Sequence, residues 1–186
     1  MYSVPTLLTY ARIALIPVFV LVFYLPVEWS NEVATLIFGL AGITDWLDGY
    51  LARKLNQMSR FGAFLDPVAD KLMVAAALVL LVQQDPTLWM AAAAVVIIGR
   101  EITISALREW MAEIGKRTYV AVSRIGKYKT SVQIVALFML IYRDSIFGIP
   151  VYTIGLGLLY VAVVLTLWSM FVYLRAAWPV IAAERE

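Results

Sequence analysis

Asp45-Trp46-Leu47-Asp48-Gly49-Tyr50-Leu51-Ala52-Arg53 and, after residues 54–61, Gly62-Ala63-Phe64-Leu65-Asp66-Pro67-Val68-Ala69-Asp70 place two pairs of aspartates in apolar surroundings. Spacings of three and four residues put each pair on one face of a helix. The stretch from Lys54 to Phe61 is short enough to make the two helices antiparallel neighbours, with both pairs at one depth. Four carboxylates can therefore converge. In one low-dielectric pocket they repel one another and take up protons unless cations neutralise them. Divalent metal supplies that charge, and shared aspartates can hold two ions about 3.5–4 Å apart, a spacing suited to in-line displacement at phosphorus. Gly49 and Gly62 leave room for a ligand or a neighbouring helix, and Ala52 keeps the same face narrow. Arg53 offers a planar fork for phosphate or pyrophosphate oxygens.

Around this stretch the chain is strongly apolar: 63% of its 186 residues are hydrophobic and its mean hydropathy is +0.85. That is more apolar surface than a water-soluble domain of this length can hide, so a bilayer setting is expected. No linker, charge block or internal repeat marks a second unit, which predicts a single domain over 1–186. Cysteine and histidine are both absent. Disulfides, thiol nucleophiles, imidazole bases and the usual nitrogen or sulfur ligands of zinc are thereby excluded. Chemistry must run on carboxylates, and oxygen-only ligation favours magnesium, manganese or calcium. Net charge is only +2, so the placement of charges carries more meaning than their sum, and no nucleic-acid partner is expected.

Apolar segments long enough for a bilayer-crossing helix of about 20 residues run over 5–26, 32–53, 62–83, 87–108, 123–142 and 147–174. The expected fold is an all-α integral membrane protein, a bundle of six transmembrane helices. Pro26, Asp85-Pro86 and Gly148-Ile149-Pro150 interrupt the apolar runs. Met1 to Leu25 has no basic leader and no small-residue cleavage site, and reads as a retained helix. All Lys and Arg residues except Arg143 fall at or near one side, which predicts that both termini are cytosolic. Glu28, Glu32, Asp85 and Asp144 populate the opposite face. Asp45, Asp48, Asp66, Asp70, Lys71, Arg100 and Glu101 all fall in the cytosolic halves of their spans, implying a polar cavity open to the cytosol. A blander reading, charged ends of short spans standing in water, explains each residue singly but not their joint spacing. Trp29, Trp89, Trp168 and Trp178 read as interfacial anchors. Gly39, Gly42, Gly155 and Gly157 read as positions for close helix packing or dimer contact.

The opening stretch matches D-x-x-D-G-x-x-A-R-x8-G-x-x-x-D-x-x-x-D at all eight fixed positions, and in this the chain resembles the CDP-alcohol phosphotransferase family. A chance match at a given start is expected about once in 10⁹ to 10¹⁰ trials. The resemblance implies attack by an alcohol on the lipid-side phosphorus of a CDP-linked donor, with CMP leaving. It implies that Asp45, Asp48 and Asp66 ligate metal, and that Asp70 is the general base and a further ligand. Spacing alone does not separate base from ligand among the four. Asp48, Gly49, Ala52, Arg53 and Gly62 are implied to border the CDP donor, with two ions of Mg2+ or Mn2+ as cofactor.

Three further stretches resemble the bacterial members of this family that make phosphatidylglycerophosphate. They are Val4-Pro5-Thr6-Leu7-Leu8-Thr9-Tyr10-Ala11-Arg12, Gly99 to Lys116, and Val122 to Thr130. The similarity implies CDP-diacylglycerol and glycerol 3-phosphate as substrates, membrane lipids as surroundings, the bacterial cytoplasmic (inner) membrane as location, and a homodimer. Arg100, Arg108, Arg124 and Lys127 are cationic donors suited to an acceptor that carries its own phosphate. Basic residues at cytosolic helix ends also anchor on anionic headgroups, which explains a share of them without a substrate. Arg100 and Arg108, eight residues apart, share a helical face. Adjacent Arg100 and Glu101 do not share that face, so Glu101 is expected to pair with a neighbouring helix. Two rival functions stand beside this one: the same chemistry on inositol phosphate, serine or phosphatidylglycerol, and cation transport. A transporter predicts polar groups reaching both faces and two related halves, and the outer halves of these spans are almost uncharged.

Overall fold

The computed structural model describes the backbone of residues 4–54, 60–115 and 124–183, with side chains for all of these except 4–6, 46, 48–54, 60, 61, 63, 124–127 and 183. Among the described residues the chain is all-α, with six helices: α1 Val4–Phe23, α2 Ser30–Lys54, α3 Arg60–Gln84, α4 Leu88–Glu113, α5 Arg124–Tyr142 and α6 Val151–Ala183. An isolated bridge between Ile146 and Ile149 is the exception to helix and turn.

Two helices, α4 and α6, are long and apolar enough to cross a membrane. At about 1.5 Å per residue, α4 spans about 39 Å and α6 about 50 Å, both more than the ~30 Å hydrocarbon core. The apolar parts of α1 and α5 are shorter, Leu7–Phe23 and Tyr128–Tyr142. α2 and α3 are each 25 residues long, but Asp45, Asp48, Arg53 and Lys54 in one and Arg60, Asp66, Asp70 and Lys71 in the other interrupt their apolar character. The charges that suggest a site are thus the ones that weaken the hydropathy signal.

The last helix departs from expectation at both ends. It begins at Val151 rather than 147, because Phe147 (φ 50°) and Gly148 (φ 78°) are left-handed and turn the chain tightly between Ile146 and Ile149. It continues past 174 to Ala183, through Pro179. Trp168 accordingly lies in the middle of α6 rather than near its end.

The chain divides into two compact units. The first comprises Met1–Pro86 and Phe138–Tyr152. In it α1 packs against both α2 and α3, and does so more extensively than those two pack on each other among the described residues. Phe19 meets Phe23 and Phe38 at ring-centroid distances of 6.1 Å. Gly39 lets the Phe138 ring come close: a Cβ there would sit 3.2 Å from it. Gly42 and Gly157, expected to pack closely, have nothing within 4 Å of a Cβ position. Tyr152 donates its hydroxyl to Asp85, and the Arg143 guanidinium lies 5.1 Å from the Tyr152 ring centroid.

The second unit comprises Thr87–Leu137 and Thr153–Glu186. Thr87 caps α4 by accepting from the Met90 N–H at 3.2 Å, as an N-cap hydroxyl should. Buried positions of α4 recur at helical spacing, Met90, Ala93, Ala94, Ile97, Arg100, Ile104 and Met111. Ile104 and Met111 form an apolar cluster with Tyr173, Ala177 and Val180 of α6. In lipid such packing is favoured by close van der Waals contact and interhelical polar bonds rather than by expulsion of water.

Candidate active site

Thr9 and Arg12 lie three residues apart on α1 and so share a face. Both are fully buried against the neighbouring helices. Thr9 Oγ1 donates to Asp66 Oδ1 at 2.5 Å. Arg12 Nη1 donates to Asp45 Oδ1 at 3.1 Å and to Asp70 Oδ1 at 2.6 Å. Carboxylates of α2 and α3 are thereby tied to one face of α1. Arg12 is 1% exposed, whereas the Asp45 and Asp70 side chains are 46% and 45% exposed. The guanidinium is thus buried while the carboxylates it holds remain half open.

Three of the four expected aspartates are therefore held in one unit, with α1 as a partner that the spacing did not suggest. α2 and α3 do pack on each other, as their short connection leads one to expect, and α1 adds a third helix that bonds to carboxylates of both. Asp48, Gly49, Ala52 and Arg53 occupy the final turns of α2, and the side chains of Asp48, Ala52 and Arg53 lie outside the described residues. Gly62 is buried in the first turn of α3. Pro67, one residue after Asp66, has no N–H to give the carbonyl of residue 63.

The residues present suit a hard divalent cation. Their donors are carboxylate oxygens, and two of these, from different helices, already share one cationic nitrogen. Among the described residues no three acidic side chains are gathered closely enough to hold a metal ion by themselves. Asp48, the fourth expected ligand, falls outside that set.

The second unit holds a cationic network. Glu101 Oε1 accepts from Arg100 Nη1 and from Lys129 Nζ, both at 2.8 Å. The expected pairing of Glu101 with a neighbouring helix is met by Lys129 of α5. The exclusion of an Arg100–Glu101 contact is corrected: both side chains are long enough to reach around the helix from adjacent positions. Arg100 Nη2 also donates to Ser169 Oγ at 3.4 Å, and Arg108 Nη2 to the Tyr173 hydroxyl at 3.2 Å. The two guanidinium carbons lie 5.6 and 5.4 Å from the same Tyr173 ring centroid, within cation–π range. Arg100 and Arg108 therefore share a face, as their spacing predicts.

Arg100, Arg108 and Lys129 outnumber the single carboxylate of this network. Among the described residues the buried Nε atoms of both arginines and Oε1 of Gln133 have no hydrogen-bond partner. The two unused Nε–H donors suit an anion, whereas the Gln133 oxygen is an acceptor and suits a donor group instead. The side chains of Arg124 and Lys127, also expected here, lie outside the described residues.

Arg12, Thr9, Lys129, Ser169 and Tyr173 were not singled out by sequence reasoning. Arg12 was available to it: an arginine inside the first apolar run, with a hydroxyl residue three positions earlier, is an intramembrane charge that needs a partner.

A helical, apolar protein with oxygen ligands in one unit and buried cations in the other has the make-up of a membrane enzyme acting on phosphate groups, and the chain belongs to the CDP-alcohol phosphatidyltransferase family, which residues 2–168 match. It is 58% identical over 176 residues to the CDP-diacylglycerol–glycerol-3-phosphate 3-phosphatidyltransferase of Shigella flexneri serotype 5b (strain 8401), and equally to that of Escherichia coli (strain K12). Each alignment covers 95% of this chain and 95% of the relative.

Proposed function

We propose that the chain transfers the phosphatidyl group of CDP-diacylglycerol to the 1-hydroxyl of sn-glycerol 3-phosphate, giving phosphatidylglycerophosphate and CMP. The observation that carries this reading is the gathering of Asp45, Asp66 and Asp70 on the Thr9–Arg12 face of α1, in a chain 58% identical to enzymes named for that reaction.

Asp45, Asp48 and Asp66, with Asp70 as a further ligand, hold Mg2+ or Mn2+, two ions in all. Bound there, the metal supplies Lewis-acid stabilisation of charge on the phosphoryl oxygens. Asp70 accepts the proton of the acceptor hydroxyl. The hydroxyl oxygen forms a bond to the lipid-side phosphorus of the donor, the bond to CMP breaks in line, and CMP departs with the electron pair. Asp48, Gly49, Ala52, Arg53 and Gly62 border the CDP group. Arg100, Arg108, Arg124 and Lys127 hold the acceptor phosphate, and the surplus of cations around Glu101 supports that assignment.

The protein acts as one catalytic domain over 1–186, a reading supported by a family match that runs through both compact units. It crosses the bacterial inner membrane six times with both termini and the active site on the cytosolic side, and works as a homodimer among membrane lipids. A cysteine introduced as S59C in this cysteine-free chain reacts only from the cytosolic side; labelling from outside intact cells refutes that orientation.

The reaction is tested by supplying purified protein with CDP-diacylglycerol and a panel of alcohols and following CMP release. Turnover with glycerol 3-phosphate well above that with serine, inositol phosphate or phosphatidylglycerol is expected. Preference for another alcohol overturns the acceptor assignment.

A further inference from the structure

The geometry points to Arg12 as a built-in counter-ion of the carboxylate site: it holds Asp45 and Asp70 in the metal-free protein and gives way when a divalent ion loads. This rests on the metal reading above and deepens it. Its basis is a single nitrogen, Arg12 Nη1, that bonds to Oδ1 of both Asp45 and Asp70 at 3.1 and 2.6 Å. A carboxylate oxygen within that distance of a guanidinium nitrogen is committed to it, and a divalent ion binding the same oxygen brings a second positive charge alongside the first. The two cations cannot occupy the same carboxylates without strong repulsion, so they compete.

The arrangement has a use in each state. Without metal, Asp45 and Asp70 would face each other unneutralised in an apolar setting, and Arg12 offsets that repulsion while fixing where each carboxylate stands. Asp66 is fixed separately by Thr9. The ion then meets ligands already in place, and its loading frees a buried guanidinium from its carboxylate partners. That guanidinium becomes a donor available to phosphate oxygens.

Competition fixes the sign of the test. Manganese binding to the purified full-length chain is measured by the electron paramagnetic resonance of free Mn2+, for the wild type, Arg12→Gln, Arg12→Lys and Asp45→Asn. Thermal unfolding is followed with and without metal. Arg12→Gln is expected to bind Mn2+ about fivefold more tightly or better, because a competing cation is gone. Its melting temperature falls without metal, and saturating Mn2+ restores most of the loss. Arg12→Lys keeps the charge and stays close to the wild type. If Arg12→Gln binds Mn2+ as the wild type does or more weakly, Arg12 is only a structural brace and the proposal is overturned.

A second readout needs no variant. Modification of the wild type by phenylglyoxal, mapped by mass spectrometry, should rise severalfold at Arg12 when Mn2+ is added. No rise at Arg12 also overturns the proposal. Absence of Mn2+ binding by the wild type, with Asp45→Asn no different, would instead remove the metal reading on which it stands.

Discussion

In the unit of residues 1–86 and 138–152 one buried guanidinium serves carboxylates from two helices, whereas in the unit of 87–137 and 153–186 two cations share a single carboxylate and a third, Arg108, bonds to a tyrosine beside them. The imbalances are opposite in sign. Unmatched charge in an apolar setting is expensive to keep, which is the physical ground for the two ligands proposed above. A divalent cation suits the first, and a phosphate the second. The carboxylates are also half exposed while Lys129 and Arg100 are buried, so the first region is open to incoming ligands and the second is built largely from within.

The contrast breaks most visibly at the carboxylates. Asp45→Asn or Asp66→Asn should lower turnover about 10³-fold or more and abolish Mn2+ binding, since the charge stabilisation at stake is several kcal/mol. Stringent chelation of the wild type should do the same, and full turnover afterwards sinks the metal reading. Asp70→Asn separates two roles at one position: a rate loss of about 10²-fold or more with much of the Mn2+ affinity retained fits a general base. If metal binding falls as far as it does in Asp45→Asn, Asp70 is a ligand first.

The second region should respond through the acceptor. Arg100→Gln and Arg108→Gln each remove about 1.5–3 kcal/mol of charge-assisted bonding, about 10- to 150-fold in the KM for glycerol 3-phosphate, with the donor KM little changed. A series in which donor KM rises and acceptor KM stays fixed places these arginines at the lipid instead. The smallest effect belongs to Tyr173→Phe. It keeps the ring between the arginines and loses one hydroxyl acceptor to Arg108, about 0.5–1.5 kcal/mol, read as a severalfold rise in acceptor KM alone. A matching change in Mn2+ affinity would show that the two regions do not divide the ligands as their charges suggest.

The Asp66–Asp70 face, which meets Thr9 and Arg12 of α1, was legible because helical periodicity is local: four residues fix direction without knowledge of neighbours. The same holds for Arg100 and Arg108, which meet one ring. The partners of those faces were not legible. The short connection correctly brings α2 and α3 together, but which further helix lies against them is decided by surfaces distant in sequence, and α1 lies against both. Arg12 was read as one more basic residue of the cytosolic side, because charge counting assigns sidedness and ignores burial. Arg100 and Glu101 were separated because the angle between adjacent Cβ directions says little about where two long side chains end. The early start given to the sixth span followed an apolar run that continues through a tight turn, since apolar composition alone does not distinguish the two.

That turn leaves a debt within the chain. Phe147 holds a left-handed backbone conformation, costing a residue with a side chain about 1–2 kcal/mol relative to its ordinary state, and its ring is 100% exposed. The two backbone hydrogen bonds between Ile146 and Ile149, 3.3 and 2.9 Å, close the turn and offset that cost, while among the described residues nothing covers the ring. In a bilayer setting, an uncovered phenyl ring gains further by leaving water for lipid. Backbone and ring thus answer to different surroundings: Phe147→Gly should relieve the left-handed backbone and raise stability in a mild detergent, and weaken association with a bilayer.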